Sequence, residues 1–240
     1  LAEKRQATIS HAVTKGLNPD APMKDSGVEW LGDVPVHWEI SHLKRLCSLI
    51  TDGAHVSPET DGGVFHFVST KDLLGDGIDF DGSLLTTHAS YEYLVKNGCK
   101  PQLGDVLFSK DGTIGRTVVV RERKEFVVAS SLIIIRPNSA LLKSDFLNFL
   151  CKSSVVSRQV DGFVKGAGLP RLSIQNLLKV IGVFPPLPEQ AVIASFLEAE
   201  TARFDALTAE ATRAITLLKE RRTALISAAV TGKIDVRTLA

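Results

Sequence analysis

The sequence predicts an α+β fold, in which one globular domain with a mostly antiparallel sheet is followed by a long coiled-coil-type α-helix. Two observations lead to this prediction. Short apolar runs rich in Val, Ile and Phe alternate with turn signals from residue 34 to residue 188. Beyond that point, residues 189–231 contain neither Pro nor Gly and repeat apolar side chains every 3.5 residues, which is typical of a coiled-coil seam.

The strands expected in the globular part are short and rich in β-branched residues. A helical spacing of apolar residues predicts one helix over residues 142–156 and a short one over residues 174–180. Residues 18–32 are rich in Pro, Gly and Asp without any period, and we expect a linker there. Pro188 suits the first position of the long helix. The predicted strands are residues 64–69, 106–109, 116–120, 126–129 and 132–136.

The composition is that of an ordinary globular protein, with 240 residues, 44% hydrophobic and 23% charged. It excludes the disordered, collagen-like and disulfide-scaffold classes. Cys47, Cys99 and Cys151 stand 52 residues apart, which is the spacing of neither a zinc site nor a disulfide framework. Three cysteines in such a pattern favour a reducing, cytoplasmic location. No apolar run reaches the roughly 18 residues of a membrane span, so no membrane partner is expected.

An internal repeat links the two ends of the chain. Residues 3–17 align without gaps on residues 220–234, with eight of fifteen positions identical. The copies lie 217 residues apart, too far for a solenoid repeat. We therefore interpret them as the same helix end occurring twice in a longer parent sequence. The chain also begins without Met, and we expect it to be a fragment or a processed product.

Motifs of catalysis are missing from the sequence. There is no Walker loop and no dinucleotide-binding glycine motif, and the six histidines show no zinc-binding spacing. No serine has the context of a nucleophile elbow. Asp76 and Asp79 are interpreted as solvated turn residues. We therefore predict no catalytic residue, no metal site and no cofactor.

Charge is distributed unevenly, and three glycine-containing loops carry hydrogen-bonding or basic side chains. The formal net charge of +1 combines −6 over residues 51–99 with +6 over residues 100–175. The loops are residues 51–55, 110–116 and 165–171. Glycine lets a backbone approach phosphate closely, while Lys and Arg supply charge and base contacts. The loops are equally compatible with ordinary hairpins that carry solvated cations. Few aromatic residues are available to stack on bases, which argues against single-strand binding.

Five motifs in order give the chain a family resemblance. It closely resembles, over essentially its whole length, the specificity subunit of type I restriction–modification systems. The Gly-Asp-Val-Leu and Pro-Pro-Leu-Pro-Glu-Gln blocks are specific when they occur together at this spacing. The motifs are Val34-Pro-x-x-Trp38-Glu39, Asp52-Gly53-x-His55, Gly104-Asp-Val-Leu-Phe-Ser-Lys-Asp-Gly-Thr-Ile-Gly115, Leu172-Ser-Ile174 and Phe184-Pro-Pro-Leu-Pro-Glu-Gln190.

The resemblance implies a non-catalytic subunit with two target recognition domains, each followed by a long helix, the two helices pairing antiparallel. Each domain reads one half of a bipartite double-stranded DNA site, and the subunit recruits methyltransferase (modification) subunits and a restriction subunit. This chain is similar to the second half only. The implied division is residues 1–17, end of a preceding helix; 18–33, linker; 34–188, target recognition domain; 189–232, long helix; and 233–240, tail.

The resemblance also places the DNA-facing loops at residues 51–57, 69–71, 109–116 and 165–171. Within them, the residues expected to contact DNA are His55, Lys71, Lys110, Thr113, Arg116, Lys165 and Arg171. The apolar seam of the long helix has no partner expected within the chain, so we predict a homodimer of the isolated chain. The resemblance implies that its two helices pair antiparallel. The seam residues are Leu197, Phe204, Leu207, Leu218 and Leu225.

Two other functions remain open at this point. The chain could be a coiled-coil scaffold whose globular domain binds protein only. It could also be the recognition fragment of a stand-alone adenine methyltransferase, since such enzymes carry similar recognition domains. The long helix argues against the second alternative.

Overall fold

The computed structural model describes residues 1–164 and 170–234, which divide into two compact units. One unit is Gln6–Leu197, and the other combines Leu1–Arg5 with the chain from Glu198 onward. The α-helices are α1 Ala2–Lys15, α2 His88–Lys96, α3 Ser144–Lys152, α4 Ser154–Phe163, α5 Ile174–Leu177 and α6 Leu187–Val230. The strands are β1 Met23–Asp25, β2 Asp33–Pro35, β3 Glu39–His42, β4 Cys47–Asp52, β5 Phe65–Val68, β6 Leu73–Leu74, β7 Gly77–Ile78, β8 Leu84–Thr86, β9 Val106–Ser109, β10 Thr117–Val119, β11 Phe126–Val128, β12 Leu132–Pro137 and β13 Ile181–Phe184.

A four-stranded antiparallel sheet in the order β10-β9-β12-β4 forms the core of the larger unit. Strand β12 is buried on both faces, because its alternate side chains enter two different hydrophobic clusters. Ile133 and Ile135 pack into one cluster, whereas Leu132 and Ile134 pack into the other. The apolar run of this strand is therefore a doubly covered strand of the sheet.

A second sheet, in the order β11-β5-β8, contains the parallel pair β11–β5. Every other pair between the described strands is antiparallel. The predicted α+β class with a mostly antiparallel sheet and a long final helix is confirmed.

The single helix predicted over residues 142–156 is wrong, because the structure has two helices that meet at Ser153. Ser153 adopts an extended backbone with φ −74° and ψ 158°, and its hydroxyl donates to the Leu150 carbonyl at 2.6 Å. A serine hydroxyl competes in this way for backbone carbonyls and ends a helix. Ser10 accepts from the Ser154 amide at 2.9 Å and so supplies a cap from another helix. A local sequence pattern cannot predict this cap, because Ser10 lies far from Ser154 in the chain.

The segment predicted as a linker contains strand β1, which pairs antiparallel with β2 through Lys24 and Val34. Three-residue strands are too short to show a period in the sequence. Val34 and Trp38 are fully buried, so this ribbon is attached to the hydrophobic core.

The first copy of the repeat is helix α1, and its apolar face belongs to the core. Ile9, Ala12 and Val13 lie in the same cluster as Trp38. The helix ends at Lys15, and Gly16 follows with φ +79°, the left-handed conformation that favours glycine after a helix.

The second copy, at the end of α6, has the same residues on a solvent-exposed face. Ile9 is 3% exposed, whereas Ile226, at the corresponding position, is 53% exposed. Val13 is 0% exposed and its counterpart Val230 is 82% exposed. Identical apolar residues are thus covered in one copy and uncovered in the other.

Helix α6 begins at Leu187, so Pro188 occupies its second position rather than its first. Gln190 ties this end of the helix to the larger unit and is fully buried. Its side-chain amide donates to the carbonyls of Leu141 at 2.9 Å and Pro185 at 2.8 Å. Its side-chain oxygen accepts from the Lys143 amide at 2.8 Å. The Pro-Pro-Leu-Pro-Glu-Gln motif therefore anchors the long helix.

The predicted seam of α6 divides into a covered part and an exposed part. Leu197 packs in the core of the larger unit, so the expectation that it has no partner within the chain is wrong. Phe204 is also buried. Leu207, Leu218 and Leu225 are exposed. The apolar positions open to a second helix therefore begin beyond Phe204.

Candidate nucleic-acid interface

The loop at residues 51–57 begins at the end of β4 and is held against the end of β11 and the turn that follows it. The Ala54 amide donates to the Val128 carbonyl at 2.8 Å, and the Ser130 amide donates to the Ala54 carbonyl at 2.9 Å. A Cβ at Gly53 would lie 2.2 Å from the carbonyl oxygens of Val128 and Ala129. Only glycine fits this approach of two backbones.

Asp52 links this loop to the hairpin between β9 and β10. Its Oδ2 lies 2.6 Å from Nζ of Lys110 and 2.7 Å from Nε2 of His55. The exposed fraction of the side chain rises from 6% for Lys110 through 20% for Asp52 to 62% for His55. Burial raises the pKa of Asp52, but the hydrogen bonds from Lys110 and His55 outweigh it and hold that pKa below its ordinary value.

The turn at residues 69–72 lies beside the same loops. The Thr70 amide donates to Ser131 Oγ, and the Thr70 hydroxyl donates to the Ser131 carbonyl, both at 3.1 Å. That carbonyl also accepts from the Lys110 amide at 2.9 Å. Asp72 holds the turn by accepting from the amide and hydroxyl of Ser69 at 2.8 and 2.9 Å. Lys71 is exposed on this turn.

The loop between β9 and β10 is organised by Ser109. Its buried hydroxyl donates to the Thr113 carbonyl at 2.5 Å and accepts from the Arg116 amide at 2.8 Å. Gly112 and Gly115 have φ +70° and +90°, which the tight turn requires. Thr113 and Arg116 remain exposed at the surface.

Arg171 is paired with the tip of this hairpin. Its guanidinium Nε and Nη2 donate to the two carboxylate oxygens of Asp111 at 2.8 and 3.1 Å. The Leu172 amide donates to the Lys110 carbonyl at 2.9 Å. Lys165 lies outside the described residues.

The structure thus brings together His55, Lys71, Thr113, Arg116 and Arg171 from four separate loops. Lys110 belongs to the same group of loops, but its ammonium is buried and paired with Asp52.

The sequence did not predict the pairing roles of the two carboxylates, Asp52 and Asp111, or the connecting role of Ser131. Ser130 and Ser131 interrupt an apolar run between two strands, which is the signal of a turn that could have indicated this loop. The pairing of Asp52 with Lys110 joins residues 58 positions apart and leaves no local pattern.

The assembled surface offers basic groups, hydroxyls and backbone amides, which are the donors that bind phosphate oxygens and base edges. No group of three or more potential metal ligands occurs in residues 1–164 and 170–234. Within those same ranges, no helix is long and apolar enough to cross a membrane.

Residues 35–217 match the family model of the type I restriction modification DNA specificity domain. The match covers more than half of the sequence, and the chain belongs to this family.

Similar proteins agree with this assignment. A type I restriction enzyme specificity subunit of Haemophilus influenzae is 32% identical over 121 residues, which is 50% of this chain and 29% of that protein. A chain solved to explain complex assembly and conformational transition of the type I R-M system superposes with a TM-score of 0.62 at 20% identity. That superposition covers 95% of this chain and 53% of the solved one.

The HsdS subunit from Thermoanaerobacter tengcongensis superposes with a TM-score of 0.56 at 19% identity, covering 86% of this chain and 44% of that subunit. The chain therefore spans about half the length, or less, of these relatives.

Proposed function

We propose that this chain recognises one half of a bipartite double-stranded DNA site as part of a type I restriction–modification specificity subunit. The observation that carries the proposal is the convergence of four separate loops on one surface, where Lys71, Thr113 and Arg116 are exposed. Such side chains bind phosphates and base edges. In this role the chain has no catalytic residue, and it recruits modification and restriction subunits that act on the bound DNA.

The exposed residues and the buried lysine have different roles in this proposal. His55, Lys71, Thr113 and Arg116 contact DNA directly. Lys110 stabilises the interface through a buried ion pair, because its ammonium neutralises Asp52 and fixes the loop that carries His55.

Arg171 completes the basic surface as a DNA contact, and Lys165, which lies outside the described residues, is proposed as a further one. Arg171 uses Nε and one hydrogen of Nη2 on Asp111, and the remaining guanidinium hydrogens can reach a phosphate. Asp111 then positions Arg171 at the edge of the hairpin.

A complete recognition unit needs a second long helix. We infer that the exposed part of the seam, Leu207, Leu218 and Leu225, pairs antiparallel with the other half of the subunit or with a second copy of this chain. The apolar face around Ile226 and Val230 supports this inference, since the equivalent residues of the first repeat are covered. A two-fold dimer is the commonest closed arrangement for identical chains.

Selection from a randomised duplex library with the full chain tests the proposed function. We expect enrichment of a short defined half-site, and loss of that enrichment in the Lys71→Ala, Arg116→Ala double variant. A library that stays random after repeated rounds with folded protein would favour the scaffold that binds protein only.

A further inference from the structure

Two exposed cations of the loop surface, Lys71 and Arg116, belong to segments that are far apart in the chain. Lys71 lies on the turn at residues 69–72, and Arg116 ends the hairpin loop between β9 and β10. Base edges occupy fixed positions in a groove, so the side chains that read them must be held at fixed positions as well. The contacts that fix these two segments to each other therefore affect specificity.

Ser131 joins the two segments through its backbone carbonyl. That oxygen accepts from the Thr70 hydroxyl at 3.1 Å and from the Lys110 amide at 2.9 Å. In addition, Ser131 Oγ accepts from the Thr70 amide at 3.1 Å. Thr70 directly precedes Lys71, and Lys110 begins the loop that ends at Arg116. One serine thus holds both of the segments that carry the exposed cations.

The shape of the turn and its position depend on different contacts. Asp72 maintains the shape through two hydrogen bonds within the turn. The position relative to the hairpin depends on the two bonds of Thr70 and on Arg116, whose guanidinium Nη1 lies 3.5 Å from the Leu73 carbonyl oxygen. Removing the Thr70 hydroxyl should therefore displace the turn without unfolding it.

We propose that Thr70 is a positioning residue, which determines sequence specificity by fixing Lys71 relative to Arg116 through its bonds to Ser131. The single hydroxyl proton of Thr70 is used within the protein. Base contacts require a fixed geometry, whereas the attraction between cations and phosphates depends on charge and tolerates small displacements. Loss of the hydroxyl thus lowers specificity and preserves non-specific affinity. This inference rests on the proposed function, since it assumes that the loop surface faces DNA.

The test measures two dissociation constants for each variant of the full chain by fluorescence anisotropy. One duplex is that selected by the wild type, and the other is a scrambled duplex of the same composition. Thr70→Val removes the hydroxyl donor and nearly keeps the side-chain shape. We expect the preference for the selected duplex to fall at least about fivefold, with the affinity for the scrambled duplex unchanged within about twofold.

Two further variants distinguish positioning from a general effect of substitution. Thr70→Ser keeps the hydroxyl and should restore the preference of the wild type. Thr60→Val is the matched control, because Thr60 is an exposed threonine outside the four loops, and it should change neither dissociation constant. Circular dichroism establishes that each variant is folded at the temperature of measurement. Should Thr70→Val fail to fold, Ser131→Ala, which removes only the bond from the Thr70 amide, takes its place with the same expectation.

The outcomes separate the inference from the proposed function. Absence of any preference in the wild type would overturn the proposed function and the inference with it. A wild-type preference that Thr70→Val retains would overturn the inference and leave the proposed function standing. Equal weakening of both duplexes in Thr70→Val, or no recovery in Thr70→Ser, would overturn it as well, because the hydroxyl bond would then not act through position.

Discussion

Lys110 holds its ammonium 2.6 Å from Asp52, in a position with only 6% of its side chain exposed. From the sequence alone, Lys110 is a basic residue of a glycine-rich loop and is therefore expected to contact DNA. Its partner Asp52 lies at the end of β4, far from Lys110 in the chain, so the burial of Lys110 depends on the tertiary structure. Residues on exposed turns, such as Lys71 and Arg116, can be predicted as surface residues, because that prediction needs only the local sequence.

Removing the charge of Asp52 should destabilise the domain. Asp52→Asn leaves the buried ammonium of Lys110 without its counter-charge, and we expect a loss of about 3 kcal/mol in the free energy of unfolding. Urea denaturation of the full chain measures it. Adding Lys110→Met should recover part of the loss, because the uncompensated charge is removed. No recovery would argue against the ion pair as the cause.

The same pair predicts a pH dependence with a definite sign. The pKa of Asp52 is lowered in the folded state, so its stabilisation is present above the ordinary carboxyl pKa and is lost as the pH falls through the folded-state value. Thermal unfolding between pH 6 and about pH 2.5 should show a steeper acid loss for the wild type than for Asp52→Asn. Parallel curves would contradict this assignment.

Basic residues of the predicted DNA-facing loops should affect binding rather than folding. Arg116→Ala, Lys71→Ala and Lys165→Ala should each weaken binding to a selected duplex. A lost base contact costs about 1–3 kcal/mol with relaxed specificity, and a lost phosphate contact weakens all sequences alike. Fluorescence anisotropy measures the dissociation constants. Arg158→Ala, an exposed arginine on α4, serves as the control. Equal affinities for all four variants and the wild type would remove these residues from the interface.

Among the elements, strand β9 agrees with its predicted bounds, and β12 agrees except for the added Pro137. Both are continuous apolar runs bounded by turn signals, so the local pattern is sufficient. The break at Ser153 depends on a hydroxyl bond and on a cap from α1, and β1 depends on its partner β2. These features come from contacts between distant segments, which a pattern along the chain does not contain.

The start of α6 should be sensitive to Gln190. Gln190→Ala removes the three hydrogen bonds of a buried side chain and leaves the carbonyls of Leu141 and Pro185 unpaired. We expect a loss of about 2–4 kcal/mol in unfolding free energy, measured by urea denaturation. Gln175→Ala, at an exposed position of α5, should change it by less than about 0.5 kcal/mol. Similar small effects of both would show that the motif does not anchor the helix.

The exposed seam of α6 should control self-association. Leu207→Asp with Leu218→Asp places charges where a second helix would pack, and we expect a monomer at concentrations at which the wild type is a dimer. Leu197→Asp should instead unfold the larger unit, because Leu197 is a core residue. Sedimentation equilibrium distinguishes these cases. A monomeric wild type at tens of micromolar would rule out the homodimer.

On the scale of the whole molecule, the described part of the chain combines the loops that we propose to face DNA with an uncovered helical seam. If two copies pair about a two-fold axis, they present two identical loop surfaces, so a homodimer should select an inverted repeat of one half-site. The monomeric seam variant should select the single half-site. The sequence repeat indicates this organisation, but only the structure shows that one copy of its apolar face is covered and the other is exposed.

The central claim, that the loop surface recognises double-stranded DNA by sequence, is tested most directly by a salt titration with two duplexes. The full chain is titrated with the selected duplex and with a scrambled duplex of the same composition, between about 50 and 300 mM salt. We predict at least about 100-fold tighter binding of the selected duplex, and a log–log slope near −3 for the few phosphates that the loop cations neutralise. Equal affinity for the two duplexes, or an affinity that does not change with salt, would contradict the account.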